Sequence, residues 1–118
     1  MPSNRGAHPE DAEQFGADQH QRLRAAVRDL SWLRSRGYGG PAVRKLVGDR
    51  YRLKRRQRNA VARSACSDAE RNHRLHARLS PQAVAEKTVH VDAFNALITV
   101  EAALGGAYLF LGRDTAYR

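Results

Sequence analysis

The sequence is poor in cysteine and in long apolar runs. Cys66 is the one cysteine among 118 residues, so a single chain can form neither an internal disulfide nor a cysteine zinc site. No apolar run approaches the roughly 20 residues that cross a bilayer, and the N-terminus lacks the hydrophobic stretch of a signal peptide. We therefore expect a cytoplasmic protein in a reducing compartment, with no membrane association.

Aromatic and acidic residues are also scarce. Aromatics make up 7% of the chain against 42% hydrophobic residues overall, so the core of a single compact domain must be aliphatic. Lys and Arg total 21 against 12 acids, a net charge of +9. Between Arg22 and Arg78 stand 17 basic residues and 4 acids. Positive charge of this density attracts phosphate backbones. The alternative is that arginine is simply frequent in this protein and lies on solvated surfaces. We favour nucleic acid as the partner.

Helical patterns fill the first two thirds of the chain. After a disordered N-terminus at 1–8, a helical basic domain is predicted over 9–79. Its main helix spans 18–37, because Leu23, Ala26, Val27, Leu30 and Leu33 recur at helical spacing. Helices are also expected at 9–15, from the Gly-Pro pair at 40–41 to near 51, at 55–65, and from a capping box at 67–70 to about 79.

The pattern changes beyond a linker at 80–87. Val89 and Val91 predict a strand, 95–104 a helix and 107–111 a second strand, which together make one βαβ unit over 88–118. The expected fold is therefore α+β and mainly α, with an N-terminal helical bundle followed by this unit. Two strands are too few to stand alone, so a second copy of the chain or a partner chain is expected to cover the open edge.

The helices on either side of 52–54 have the lengths and the short connection of a helix-turn-helix. On the second helix Arg55, Arg56, Asn59 and Arg63 share one quadrant, opposite the face that carries Val61. Arginine can bind phosphate or guanine, and asparagine can pair with adenine. The turn lacks the expected glycine, and a solvated arginine-rich face is the alternative to a nucleic-acid contact.

Trp32 lies one helical turn from both Arg28 and Arg36. An indole between two guanidinium groups could be a stacking platform for an unpaired base. The alternative is that a central helix buries two faces and that Trp32 fills the second one, with the arginine stems covering its edge. The packed interpretation is preferred here because lone tryptophans are usually packed.

Asp92 follows the first predicted strand, and Asn95 lies three residues further on. The carboxyl ends of parallel strands are where open α/β sheets bind ligands, and Mg²⁺ takes oxygen ligands. Asp92 could equally cap the following helix. The spacing leaves both interpretations open.

Several motifs resemble the family catalogued as domain of unknown function 434. They are Asp29-Leu30-Ser31-Trp32-Leu33, Arg36-Gly37-Tyr38 and Lys45-Leu46-Val47-Gly48-Asp49-Arg50-Tyr51. The C-terminal part, with Asp92-Ala93-Phe94-Asn95, resembles the companion domain of that family (DUF5616), which is similar to the PIN and NYN nucleases.

The resemblance implies that Asp92 binds a catalytic Mg²⁺ or Mn²⁺ and that Asn95 belongs to the same signature. Asp114, in Gly112-Arg113-Asp114, resembles a second acidic position. Ala93 stands where relatives have glycine. Relatives continue through further strands and acids, so this chain is expected to be a truncated form.

Two aspartates and an asparagine are few for two-metal hydrolysis. The expected function is therefore nucleic-acid binding, of RNA rather than DNA, with an incomplete nuclease-like domain that is inactive as this chain stands. One alternative is a Mg²⁺- or Mn²⁺-dependent endoribonuclease that completes its site by dimerisation or with a partner. Another is a protein-interaction or antitoxin-like module whose basic face meets an acidic protein.

Overall fold

The computed structural model describes residues 7–118, and its regular structure is helical. A 3₁₀ turn at Ala17–Gln19 separates the first two helices. The helices are α1 Asp11–Phe15, α2 His20–Ser35, α3 Gly40–Arg50, α4 Arg55–Ser64, α5 Asp68–Ala77, α6 Pro81–Val84 and α7 Ala93–Leu104. Residues 1–6 of the predicted disordered N-terminus lie outside the described residues.

The central helix of the core is α2. Its Ala26 and Leu30 are fully buried, and they belong to one cluster with Val43 and Val47 of α3 and Val61 of α4. This core is aliphatic, as the low aromatic content predicts. Further members or neighbours of the cluster are Leu23, Val27, Leu33, Tyr51, Leu53, Ala62 and Ala65.

The predicted starts of α3 and α5 are confirmed, and each depends on a local feature of the sequence. α3 begins at Gly40, whose φ of 77° places it in the left-handed region, and Pro41 occupies the first turn. α5 begins at the predicted capping box, because Ser67 Oγ accepts from the Glu70 N–H at 3.1 Å and Glu70 Oε1 accepts from the Ser67 N–H at 3.3 Å. Cys66 lies just before this cap and is buried.

The predicted α+β fold with a βαβ unit is wrong, because residues 7–118 contain no strand and no sheet. The segment 88–91 is exposed, and no part of the described chain pairs with it as a strand. Phe110 and Arg118 instead exchange backbone hydrogen bonds of 2.7 and 2.9 Å, and Leu111 and Tyr117 form an isolated antiparallel bridge. An apolar run becomes a strand only where a neighbour pairs with it, and here the run at 107–111 meets the C-terminal residues rather than 88–91.

The C-terminal segment 107–118 packs against the helical part of the protein. The Arg113 N–H donates to the Ser64 carbonyl at 2.9 Å, and Arg113 Nη1 donates to the Cys66 carbonyl at 3.0 Å. The ring of Phe110 meets that of Phe15 edge-on, with centroids 4.8 Å apart. The segment therefore forms contacts with α1 and with the connection between α4 and α5. The division of the chain into domains at 80–87 stays a prediction.

The helix α7 is apolar and none of its residues is buried. Phe94 and Leu104, near its two ends, are 84% and 85% exposed. A helix that is apolar on all sides is normally covered on several of them. None of the helices in the described part of the chain is long and apolar enough to cross a membrane.

Candidate nucleic-acid interface

Four exposed side chains follow one another at four-residue intervals along α2 and its C-cap residue. They are Arg24, Arg28, Trp32 and Arg36, and all four are exposed. Side chains at i and i+4 are neighbours that differ by about 40° around the helix axis, so the four form a curved row about 18 Å long, which we call the α2 column. Arg24 was not among the residues predicted from the sequence, although its spacing from Arg28 could have indicated it.

Trp32 is a surface residue in this column. Its side chain is 57% exposed, and the guanidinium carbon of Arg36 lies 4.6 Å from the ring centroid. This is a cation–π contact at the surface. The preferred interpretation of Trp32 as a packed residue is therefore wrong, because the core uses the side of α2 that carries Ala26 and Leu30.

A groove of about 290 Å³ runs beside Trp32 between α2 and α3. Leu33, Leu46 and Val47 supply its apolar wall, and Asp29 and Arg50 supply its charges. We call it the Trp32 groove. It lies at the small end of the range of ligand sites.

A hydrogen bond fixes one carboxylate oxygen of Asp29 in this groove. The hydroxyl of Tyr51 donates to Asp29 Oδ2 at 2.5 Å, and this hydrogen bond raises the pKa of Tyr51 because it favours the protonated phenol. Oδ1 of Asp29 accepts no hydrogen bond from any group within residues 7–118. Asp29 thus offers one free acceptor to a ligand.

α4 presents a second column of polar side chains. Arg55, Asn59 and Arg63 follow one another at four-residue spacing, and all three are exposed; we call them the α4 column. The opposite face packs inward as predicted, since Gln57 and Val61 are buried. The sequence thus identified the outward face of this helix correctly.

Arg56 departs from its predicted surroundings. Its guanidinium forms an ion pair with the buried carboxylate of Asp11 and lies 5.6 Å from the ring centroid of Phe15. Arg56 therefore ties α4 to α1. No local pattern in the sequence indicates these contacts, because Asp11 and Phe15 are more than 40 residues away from Arg56.

The helical part carries many cations that no acidic group within residues 7–118 neutralises. The exposed ones that form neither a salt bridge nor a side-chain hydrogen bond among the described residues are Arg24, Arg28, Arg36, Arg44, Arg50, Arg52, Lys54, Arg55 and Arg63. Both columns contribute to this set. Uncompensated positive charge of this kind attracts a polyanion.

Asp92 is the N-cap of α7. Its Oδ1 accepts from the Asn95 N–H at 3.4 Å, and its Oδ2 accepts from Asn95 Nδ2 at 2.6 Å. The capping alternative therefore describes what Asp92 does in this structure. The catalytic role of Asp92 and Asn95 stays a prediction.

Asp114 is buried among donors. Arg118 donates to both carboxylate oxygens at 2.8 Å, Arg74 donates to Oδ2 at 3.1 Å, and the Ala116 N–H donates to Oδ1 at 3.2 Å. The hydrogen bonds from Arg118 are the main reason that the pKa of Asp114 lies far below its ordinary value. This carboxylate serves as the counter-ion of two arginines.

The residues present do not fit a two-metal site. No group of three or more His, Cys, Asp or Glu side chains in the described part of the chain could hold a metal ion. Asp92 and Asn95 bring a single carboxylate, and a divalent cation at Asp114 would have to displace two guanidinium groups. The metal roles of Asp92 and Asp114 stay predictions.

Comparison with known proteins supports the family predicted from the motifs. Residues 22–76 match the family described as "Protein of unknown function (DUF434)", and residues 81–118 match "Domain of unknown function (DUF5616)". The first match contains both columns and the Trp32 groove.

A similar protein is the "Uncharacterized protein MJ0935" of Methanocaldococcus jannaschii, which is 29% identical over 96 residues. The alignment covers 81% of this chain and 46% of that protein, so the chain spans about half the length of the relative. No solved structure matches the chain significantly.

Proposed function

We propose that this protein binds nucleic acid, RNA in preference to DNA, through the exposed faces of α2 and α4. The observation that carries the proposal is the pair of columns, in which exposed arginines lie four or eight residues apart and have no acidic partner among the described residues. Arginines in such rows neutralise successive phosphates and release counterions, which is the main source of sequence-independent affinity.

The arrangement around α4 supports the same proposal. The connection between α3 and α4 is four residues long, and both helices pack on α2. A short connection between two packed helices is a feature of helix-turn-helix proteins, and we propose that α4 takes the part of the helix presented to nucleic acid. Asn59, between two arginines of the α4 column, is then placed to contact a base edge while its neighbours bind phosphates.

Salt dependence of binding tests the proposal directly. Fluorescence anisotropy with labelled RNA and DNA oligonucleotides, single-stranded and duplex, gives the affinity between about 50 and 200 mM salt. We expect log K to fall linearly with log salt, with a slope of about −0.7 to −0.9 per phosphate neutralised. Absence of binding to every nucleic acid at low salt contradicts the proposal.

A matched pair of variants assigns the binding to the α4 column. Arg55→Ala combined with Arg63→Ala removes two charges from the column, and we expect the slope to become shallower by about 1.4 to 1.8. Arg78→Ala combined with Lys87→Ala removes two charges outside both columns and serves as the control. Equal effects of the two pairs would show that net charge, and not this face of α4, sets the affinity.

Metal-dependent cleavage is measured in the same preparations. Because the residues present do not fit a two-metal site, we expect bound RNA to stay intact in Mg²⁺ and in Mn²⁺. The readout is the length of the RNA on a denaturing gel. Cleavage that disappears in Asp92→Asn while binding persists would instead support the ribonuclease alternative.

The exposed helix α7 favours protein interaction as a second candidate function. Its apolar side chains, including Phe94, Leu97 and Leu104, are exposed along its full length. An apolar face with almost no charge is complementary to itself, so the partner that we propose is a second copy of this chain in a two-fold symmetric contact.

Sedimentation velocity over a wide concentration range tests this second candidate. We expect a monomer–dimer equilibrium that Leu97→Glu shifts towards monomer, because the variant would bury a carboxylate without a partner. Ala85→Glu adds the same charge in an exposed position outside α7 and is the control. A protein that stays monomeric at every concentration contradicts the dimer.

A further inference from the structure

We propose that the Trp32 groove holds an unpaired base bearing an amino group, so that the ligand is single-stranded nucleic acid containing cytosine, adenine or guanine. This inference rests on the proposed function, because it names the class of nucleic acid that the basic surface binds. It also gives Trp32 a specific role as the residue that stacks on the base.

The indole of Trp32 has the exposure and the surroundings of a stacking platform. More than half of its surface is open to solvent, while the Arg36 guanidinium covers part of the ring at 4.6 Å. A planar cation on one face leaves the other face for a base, and it strengthens the attraction for a ligand that carries phosphates. Aromatic stacking needs an unpaired base, since the bases inside a duplex already stack on one another.

The groove beside the ring has the size and lining for one base. Its volume of about 290 Å³ lies at the small end of ligand sites, which suits a single ring system rather than a longer ligand. Leu33 and Leu46 provide an apolar wall, and Leu46 is an exposed residue that a bound base would cover. Arg50, at the same groove, has no acidic partner among the described residues; its guanidinium lies 5.7 Å from the Tyr51 ring centroid and can bind a phosphate.

Asp29 gives the groove a preference among bases. Its Oδ2 is held by the Tyr51 hydroxyl, which leaves Oδ1 as an acceptor for an N–H group of the ligand. The exocyclic amino groups of cytosine, adenine and guanine are donors, whereas uracil has a carbonyl oxygen where cytosine has its amino group and keeps the ring N3–H as its donor. A carboxylate that faces this exocyclic position attracts the cytosine amino group and repels the uracil carbonyl oxygen, so we expect cytosine to be preferred over uracil, which has the same ring size.

Intrinsic fluorescence tests the stacking directly, because Trp32 is the one tryptophan of the chain. Titration of the full chain with oligocytidine should quench its emission, and a duplex of matched length should bind without quenching. Trp32→Ala should weaken binding of oligocytidine by about 5- to 150-fold, the range that stacking of one base provides. Trp32→Phe, which keeps a smaller ring, should lose less affinity, and Tyr117→Ala, which removes another exposed aromatic side chain, is the control.

Comparison of oligocytidine with oligouridine tests the role of Asp29. The wild-type chain should bind oligocytidine several-fold more tightly, and Asp29→Asn, whose side chain can both donate and accept, should reduce this difference. Salt-dependent binding without quenching, with equal affinities for Trp32→Ala and Tyr117→Ala, overturns this inference and leaves the proposed function intact. Equal quenching by oligocytidine and oligouridine overturns the base preference, and absence of any binding overturns both proposals.

Discussion

At the scale of single residues, Asp114 shows that an acidic residue in a motif resembling a catalytic position can have a structural role. Its side chain is almost fully buried, and it receives four hydrogen bonds, three of them from guanidinium groups. Arg74 comes from α5 and Arg118 from the end of the chain, so the carboxylate joins the C-terminal segment to the helical part.

We predict that Asp114→Asn lowers the free energy of unfolding by roughly 1 to 3 kcal/mol at neutral pH. Loss of one partner of a buried pair costs more than this, but the side chains of Arg118 and Arg74 are 32% and 43% exposed and can be rehydrated. Urea denaturation of the two proteins measures the difference.

The difference in unfolding free energy between wild type and Asp114→Asn should also depend on pH, and the pKa of Asp114 determines the direction. The pKa of Asp114 is lower in the folded than in the unfolded chain, so its stabilisation is fully present above the unfolded pKa, about 3.9, and is lost as the pH falls below it. The difference in unfolding free energy between wild type and Asp114→Asn should therefore become smaller below about pH 4. If this free-energy difference is constant from neutral pH to pH 3, the ionised carboxylate of Asp114 does not stabilise the fold.

Residue roles were predictable from the sequence only where local spacing decides them. Helical spacing placed Arg55, Asn59 and Arg63 correctly on the outward face of α4. It could not show that Arg56, on the edge of the same face, pairs with Asp11, because that contact depends on how α1 packs against α4. It also could not show that α2 leaves Trp32 exposed, since the side of a helix that neighbours cover is a property of the whole fold.

At the scale of elements, the helices were predictable and the strands were not. Helices α2 to α5 depend on periodicity, caps and glycines within their own segments, and all of these are visible in the sequence. A strand depends on a partner elsewhere in the chain. The apolar runs at 88–91 and 107–111 resemble two strands of one unit, but the second pairs weakly with the C-terminal residues and the first has no strand partner within residues 7–118.

The turn between α3 and α4 contains a strained residue where a glycine was expected. Arg52 adopts a φ of 51°, in the left-handed region that costs most residues about 1 to 2 kcal/mol and costs glycine little. The Leu53 N–H closes the turn by donating to the Gly48 carbonyl at 2.9 Å. The backbone therefore has the conformation of a glycine-containing turn without the glycine.

We predict that Arg52→Gly raises the free energy of unfolding slightly, by up to about 1 kcal/mol. Relief of the left-handed strain outweighs the greater backbone entropy that glycine brings to the unfolded chain. Thermal unfolding followed by circular dichroism checks this, with Arg44→Gly, in the regular part of α3, as the comparison. A loss of stability as large in Arg52→Gly as in Arg44→Gly would contradict the strain at position 52.

At the scale of the whole molecule, the two segments that match different families are in contact. Arg71 Nε donates to the Arg113 carbonyl at 3.2 Å, and Arg113 pairs with Asp68 at 2.5 Å. From the other side the Asp68 N–H donates to Ser35 Oγ of α2 at 2.9 Å, so the N-terminal cap region of α5 is held by both α2 and the C-terminal segment. We expect residues 107–118 and helices α2 to α5 to unfold in one transition rather than in two.

The burial of Cys66 allows this single unfolding transition to be tested with the protein's own thiol. The thiol residue is 1% exposed, its N–H donates to Ser31 Oγ at 3.3 Å, and its carbonyl accepts from Arg113. A thiol reagent can reach Cys66 only after α2, α5 and the C-terminal segment separate. The labelling rate of the native protein therefore measures how frequently these elements separate. Asp114→Asn should accelerate this labelling by the factor that corresponds to its loss of stability, and a rate unchanged by the variant would mean that Cys66 is reached through a smaller, local fluctuation.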